Sequence, residues 1–216
     1  MSKAVVLLSG GIDSTVVLAL AKHVSSEVYI LFFDYAQPQI DRESQAVQKI
    51  LKHYGMSHNT HGSRIELPLR EFSLSGKAWP EAFIPFRNGT FISIATAWAE
   101  SNAFDEVWTG MYNYPIRSRA FPDQTPEFLG AMRAAVHIGT AGRVRLVCPL
   151  EEMSKKAVIQ LAVKYGVPLD FSWTCYHPLL LGTIPCGVCD ACLKRRKAFT
   201  LAGIEDPLRY PEQNRS

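Results

Sequence analysis

The chain has 216 residues, 47% apolar and 20% charged, with 14 Gly, 13 Pro and 5 Cys. A chain this long removes about 70–75% of its unfolded surface from water on folding, which excludes a disulfide-dependent mini-scaffold and, at this apolar content, a disordered chain. The 23 Lys+Arg and 20 Asp+Glu leave a net charge of +3, so bulk charge points to neither nucleic acid nor a membrane surface, and an anionic ligand has to be held by a local site.

The first apolar run, Ala4–Leu8, is shorter than a signal-peptide core and far below the ~20 residues of a membrane span. No other segment reaches that length, so a soluble, cytoplasmic protein is expected. Strands are expected at Ala4–Leu8, Val28–Asp34, Arg64–Leu67, Glu106–Gly110 and Arg143–Val147. Between them, Ser14–Lys22, Asp41–Tyr54, Asn88–Ser101 and Ser154–Tyr165 carry apolar residues at helical spacing. Strand–helix alternation predicts an α/β fold with a parallel sheet covered on both faces. Ligands of such sheets bind at the carboxyl ends of the strands, which puts Ser9–Ser14 and Asp34–Gln37 on one rim. The Pro-, Gly- and aromatic-rich stretches Phe72–Asn88 and Met111–Pro126 read as long loops, a length that usually carries function. One α/β unit, 1–171, is expected to carry a small cysteine-bearing lobe, 172–216.

Two patterns carry chemistry. Ser9-Gly10-Gly11-Ile12-Asp13-Ser14 follows a strand and opens a helix; the glycines permit a tight turn, and successive N–H groups with the helix N-terminus form an anion site. It lacks the lysine of a Walker loop. The plain alternative is a strand-to-helix turn capped by Asp13 or Ser14. The second pattern is Cys175 followed by Cys186, Cys189 and Cys192 at C-x-x-C-x-x-C spacing. In a reducing compartment this clustering points to metal. Four thiolates close a tetrahedral zinc site with no place for a water nucleophile, so the site reads as structural. An iron–sulfur cluster and free structural cysteines are the alternatives. Cys148 reads as a core residue.

The Ser9–Ser14 hexapeptide resembles the pyrophosphate loop of the ATP pyrophosphatase superfamily, which splits ATP into AMP and pyrophosphate while activating a substrate oxygen. With Asp34-Tyr35-Ala36-Gln37, Ile84-Pro85-Phe86-Arg87-Asn88, Ser172-Trp173-Thr174-Cys175-Tyr176 and Pro185 through Cys192 in the same order, nearly the whole chain resembles the 7-cyano-7-deazaguanine synthase family, nitrile-forming enzymes of the queuosine pathway. The resemblance implies a Rossmann-like, adenine nucleotide alpha-hydrolase-like domain with a zinc lobe. It implies an ATP-dependent carbon–nitrogen ligase that adenylates 7-carboxy-7-deazaguanine, admits ammonia to give the amide, and activates the amide oxygen with a second ATP to leave the nitrile.

By the same resemblance, Ser9, Gly10, Gly11, Asp13, Ser14, Asp34 and Arg87 would bind ATP, with Mg2+ accompanying the nucleotide. Asp13 would orient the loop or hold that metal, and Lys155 would place a point charge near the phosphates. Gln37, Phe86, Asn88 and Asp123 would contact the substrate. Cys175, Cys186, Cys189 and Cys192 would hold Zn2+, and the chain would form a homodimer. Plainer alternatives are a solvated Lys155, a loop salt bridge at Arg87 and a turn cap at Asp34.

The chain departs from the family between Gly110 and Gln124. This loop is about two residues longer, the family's acidic stretch is Arg117-Ser118-Arg119-Ala120, and a family cysteine is Gln124, while Asp123 is retained. Arg117 and Arg119 would grip a carboxylate or phosphate, or else face solvent. The departure raises the alternative of an enzyme that stops at the amide or couples the acid to another amine, including one on a macromolecule. Other superfamily members, such as a tRNA thiolase or an ammonia-dependent NAD or GMP synthetase, form a second alternative. A third is a zinc-ribbon nucleic-acid module, suggested by Lys194-Arg195-Arg196-Lys197. That run is expected instead to cap the last turns of a helix or face water.

Overall fold

The computed structural model describes residues 1–72, 84–111, 121–177 and 184–211. Strand β1 (Lys3–Leu7) leads through α1 (Ile12–Val24) to β2 (Glu27–Asp34), and α2 (Ile40–His53) with the single turn α3 (His58–His61) leads to β3 (Gly62–Glu66). The chain then crosses to α4 (Arg87–Ser101), β4 (Glu106–Trp108), α5 (Pro126–Gly139) and β5 (Arg145–Val147), and closes with α6 (Lys155–Lys164) and α7 (Asp190–Ala202). The five strands lie in the order β3-β2-β1-β4-β5. Every pairing is parallel, with Ala4 opposite both Val28 and Glu106.

The inner strands β1 and β2 bury both faces, as their near-continuous apolar runs require. In β1, Ala4 and Val6 enter one core with Val16, Ile50, Ile159 and Phe199 from α1, α2, α6 and α7. Val5 enters the other, with Ile92, Ala95, Leu129 and Val136 from α4 and α5. Helix α7 thus contributes Ala198 and Phe199 to the core shared with α1 and α6.

The strand order reverses at β1, so the loops after β1 and β4 diverge to open the crevice in which such sheets bind ligands. Those loops touch at Gly110, where a Cβ would lie 2.9 Å from the Asp13 carbonyl carbon and 3.0 Å from Ser14 N. Only a residue without a side chain lets the two loops approach this closely.

The expected elements are found with ends moved by a few residues, and two loop expectations need correction. Met111–Pro126 ends in a 3-10 turn at Pro122–Gln124, and Pro126 opens α5. Thr125 caps α5 by accepting the Phe128 N–H at 3.2 Å, so Thr-Pro-Glu was a readable helix start. In Phe72–Asn88, Arg87 and Asn88 already belong to the first turn of α4.

Candidate active site

The turn after β1 folds on its own hydroxyls. Ser9 Oγ and Ser14 Oγ lie 3.1 Å apart, the Ser9 N–H donates to Ser14 Oγ at 3.2 Å, and Ser14 Oγ donates to the Gly11 carbonyl at 3.1 Å. Thr15 Oγ1 donates to the same carbonyl at 2.7 Å. Gly10 has φ +77°, and a Cβ there would lie 2.9 Å from Ala46 Cβ and 3.0 Å from the Glu43 carbonyl oxygen. The first turns of α2 therefore press the loop from behind. Helix α1 has no side-chain cap, so its N-terminal amides face the crevice as an anion-binding end. Lys155, first residue of α6, forms an ion pair with Asp13 Oδ2. Asp13 Oδ1 is buried without a hydrogen-bond partner, a free carboxylate oxygen of the kind a nucleotide-bound Mg2+ takes.

A second group of residues gathers beyond β2. Asp34 accepts the Ala36 N–H at 2.9 Å and pairs with Arg64 from β3. Burial opposes its charge, but the Ala36 N–H and the Arg64 guanidinium outweigh burial and hold its carboxyl below the ordinary range. The Gln37 amide is buried and fully engaged: Oε1 accepts the Tyr35 N–H at 2.9 Å, and Nε2 donates to the Phe33 carbonyl at 3.2 Å and to Glu43 Oε2 at 2.7 Å. Arg87 Nη1 donates to Tyr35 Oη at 3.2 Å, its Cζ lies 5.5 Å from the Tyr35 ring centre, and its buried Nε has no partner. Buried Asp123 accepts the Asn88 N–H at 3.0 Å.

The four Sγ atoms of Cys175, Cys186, Cys189 and Cys192 lie within 4.8 Å of one another, with Cys186 and Cys192 4.0 Å apart. A tetrahedral ion with metal–sulfur bonds of about 2.3 Å sets its thiolates about 3.8 Å apart, so the set fits one ion. A cubane cluster, whose thiolates sit on four different irons, would spread them wider. Burial works against a thiolate at Cys186, yet the Val188 and Cys189 N–H groups lower its thiol below the ordinary range. Cys148 lies apart and buried; burial pushes its thiol up to about 12.

Trp173 joins the cysteine set to the loop. Its N–H donates to the Gly10 carbonyl at 2.8 Å and its indole to the Cys175 carbonyl at 3.0 Å. Behind it, Arg195 is buried, donating to Ser172 Oγ at 2.8 Å and Leu169 O at 3.2 Å and pairing with Asp206 at 2.9 Å.

The family model described as "Queuosine biosynthesis protein QueC" matches residues 3–203. The chain belongs to the QueC family. Among its relatives, the 7-cyano-7-deazaguanine synthase of Thermoplasma acidophilum is 37% identical over 224 residues, 96% of this chain and 92% of that protein. The Campylobacter curvus protein of the same name is 34% identical, over 97% of this chain and 98% of the relative. A solved 4-thiouridine synthetase in complex with RNA and bound ATP shares the fold, with a TM-score of 0.52 and 23% identity over 77% of this chain and 41% of that longer one.

In this QueC family member the structure brings Ser9, Gly10, Gly11, Asp13, Ser14 and Lys155 together, with Asp34, Gln37, Arg87, Asn88 and Asp123 on the same rim. Gln37, expected to touch substrate, instead spends its amide on Glu43 and the β2 turn. Phe86 is 58% exposed in a left-handed conformation and meets Phe128 edge-on at 5.8 Å. Arg117 and Arg119 lie outside the described residues.

The expectation for the basic run holds in part: Lys194 and Lys197 face water, but the run does not cap the helix end and Arg195 is turned inward. The run falls in the second turn of α7 rather than its last; Arg195 is buried and Lys194 pairs with Asp190 at 2.6 Å. A guanidinium committed to the fold leaves the nucleic-acid module without its central cation. Arg64, Glu43 and Gly110 were missed. Glu43 had a signal: with Ala46, Val47 and Ile50 it falls on the apolar stripe of α2, an anomalous place for a carboxylate.

Proposed function

We propose that the chain is an ATP-dependent carbon–nitrogen ligase that converts 7-carboxy-7-deazaguanine and ammonia, through an adenylate and an amide, to 7-cyano-7-deazaguanine. One observation carries this reading: in a QueC family chain, the Ser9–Ser14 loop, the Lys155–Asp13 pair and the Arg87 cluster share the crevice at the strand-order reversal. A carboxylate oxygen leaves poorly and its adenylate leaves well, so the chemistry needs a site that holds pyrophosphate and acid together.

The loop amides and the Ser9 and Ser14 hydroxyls receive the departing pyrophosphate, and Lys155 adds a point charge beside it. These preorganised donors meet the charge that develops on the phosphate oxygens in the transition state. Asp13 would hold Mg2+ through its unpartnered oxygen; that ion neutralises phosphate charge. Asp34 sits at the nucleotide side of the rim. Arg87 offers its buried Nε to an oxygen of the nucleotide or of the acid, and Asn88 with Asp123 forms the wall next to the divergent loop. In that loop Arg117 and Arg119 supply cations for the acid, and Phe86 flanks its entrance.

The four cysteines would hold one structural Zn2+, whose chemistry here is to cross-link a lobe; Trp173 transmits that order to the loop. Segments 1–171 and 172–216 act as one folding unit, supported by Phe199 of α7 in the main core. We place the enzyme in the cytoplasm, in keeping with a cysteine set spaced for metal rather than for disulfides, and as a homodimer. No described helix is long and apolar enough to cross a membrane.

Incubation of the metal-loaded protein with ATP, ammonia and the deazaguanine acid, followed by mass analysis, tests the reading. The expected products are the nitrile, AMP and pyrophosphate. AMP formation independent of the acid, or an amide that never proceeds to nitrile, overturns it.

A further inference from the structure

The nitrogen that enters this reaction as ammonia carries three hydrogens, and in the nitrile it carries none. Its attack on the adenylate leaves a positively charged nitrogen that collapses back unless a base removes a proton as the carbon–nitrogen bond forms. This demand rests on the reaction proposed above, and it asks which carboxylate on the rim is available.

Two are paired with cations, and a third fastens the first turn of α4 to the Pro122–Gln124 turn. Asp13 is paired with Lys155, Asp34 with Arg64 and the Ala36 N–H, and Asp123 accepts the Asn88 N–H. Glu43 differs. It lies on the apolar stripe of α2, and its own backbone backs Gly10 of the loop. Its carboxylate is held by neutral amide donors, Gln37 Nε2 at 2.7 Å and the Gln39 side chain, and has no ion pair among the described residues. Gln37 is pinned by Phe33 and Tyr35, so it presents only a donor to Glu43.

The other charged groups facing Glu43 are Arg87 from α4, with Asp34 and Tyr35 from the end of β2. The Nε of Arg87 is buried and unpartnered. A cation with a donor unspent and a carboxylate without a paired cation thus face one another beside the end of β2.

We propose that Glu43 is the base that takes the proton from the ammonia nitrogen as it attacks the adenylate, while Arg87 holds the oxygen of the acid. The nitrogen–carbon bond forms, the bond from carbon to the AMP oxygen breaks with its electron pair leaving on AMP, and the proton moves to the Glu43 carboxylate and from there to water. Burial supports the role by pushing the Glu43 carboxyl up to about 7, against the pull of Gln37, Gln39 and Arg87. A base of that strength works at neutral pH, where an ordinary glutamate accepts protons too weakly.

The test separates adenylation from amine attack. Acid-dependent exchange of labelled pyrophosphate into ATP reads the first, and amide formation at fixed free ammonia reads the second. In Glu43→Gln, exchange stays within about threefold of wild type while amide formation falls about 100-fold, a usual contribution of general base catalysis. Hydroxylamine, which sheds its proton more readily after attack, still traps the adenylate as hydroxamate. The wild-type amide rate rises through pH about 7 and the E43Q rate does not. Glu43→Asp keeps a carboxylate and so retains the pH-dependent rise at a lower rate, which preserves the test should E43Q fold poorly.

Amide formation by E43Q within threefold of wild type overturns the assignment. So does exchange that falls as far as amide formation, which would make Glu43 a support for the loop. Absence of acid-dependent exchange in the wild type overturns the functional reading itself, and the assignment with it.

Discussion

The pyrophosphate loop and the cysteine lobe touch through Trp173, yet different physics holds each in place. The loop rests on a sheet buried on both faces, with α1 and α2 packed behind it, so its shape is set from below and its hydroxyls and amides stay available for a ligand. Helix α7 of the lobe packs on the main core through Ala198 and Phe199, but the cluster around its cysteines is small: Cys175, Cys186 and Cys192 are buried, with Trp173, Cys189 and Tyr210 packed against them. The four thiols of that cluster are spaced to hold one ion, which would add a cross-link where apolar contacts are few. Polar groups of the loop are thus left for chemistry, whereas the thiols of the lobe would be consumed in holding the fold.

Breaking the cross-link produces the largest effect. Structural zinc contributes about 10–16 kcal/mol in isolated finger peptides. Cys192→Ser, or chelation, is therefore expected to remove about one metal ion per chain and abolish acid-dependent pyrophosphate exchange, while the circular dichroism of the sheet persists. Elemental analysis beside exchange measures both, and intact exchange without metal would erase the distinction between the regions.

Next comes the ion pair between Arg195 of α7 and Asp206, which neutralises the guanidinium that also holds Ser172 and Leu169. The Arg195 side chain is 1% exposed, so Asp206→Ala leaves a buried guanidinium without its counter-charge, at a cost of about 3–5 kcal/mol. A fall in thermal midpoint of about 6–20 °C is expected for a chain of this size.

On the loop side, Gly10→Ala puts a methyl 2.9 Å from Ala46 Cβ at φ +77°, a strain of about 1–3 kcal/mol. Stability falls modestly, but misplacing the loop lowers exchange by about 100-fold. A stability loss without loss of exchange would mean that the loop adapts.

Glu43 sharpens the same contrast through pH. Its folded-state pKa of about 7 lies above the ordinary 4.5, so the native state holds this proton more tightly than the unfolded chain. Its contribution is full at low pH and is lost as pH rises from about 4.5 through about 7. Urea denaturation at pH 5 and pH 8 is expected to show a smaller difference for E43Q than for wild type. The smallest effect is expected at Arg64, whose side chain is 44% exposed: Arg64→Ala changes stability by under about 1 kcal/mol, because water screens the pair and the Ala36 N–H still holds Asp34.

Much of this architecture was legible in the sequence because it rests on local signals. Apolar runs punctuated by glycine located the five strands, and the spacing of Cys175, Cys186, Cys189 and Cys192 defined a metal set before any coordinate placed their sulfurs together. Helix α5 escaped because its Pro-containing start follows a stretch that reads as loop, although Thr125-Pro126 is a cap followed by a first-turn proline. Arg195 was misread because a run of four cations looks solvated, and only the packing of α7 against residues 169–172 turns one of them inward.

By itself the sequence determined the element order, the loop and the cysteine set, since backbone freedom, apolar periodicity and ligand spacing act over a few residues. Tertiary structure decided what those pieces do to one another. It brought Lys155 to Asp13, Arg64 to Asp34 and Arg87 toward Glu43, pairs separated by up to 142 residues. The proton affinity of a buried carboxylate depends on the cations and donors that reach it through space, and no local pattern records that distance.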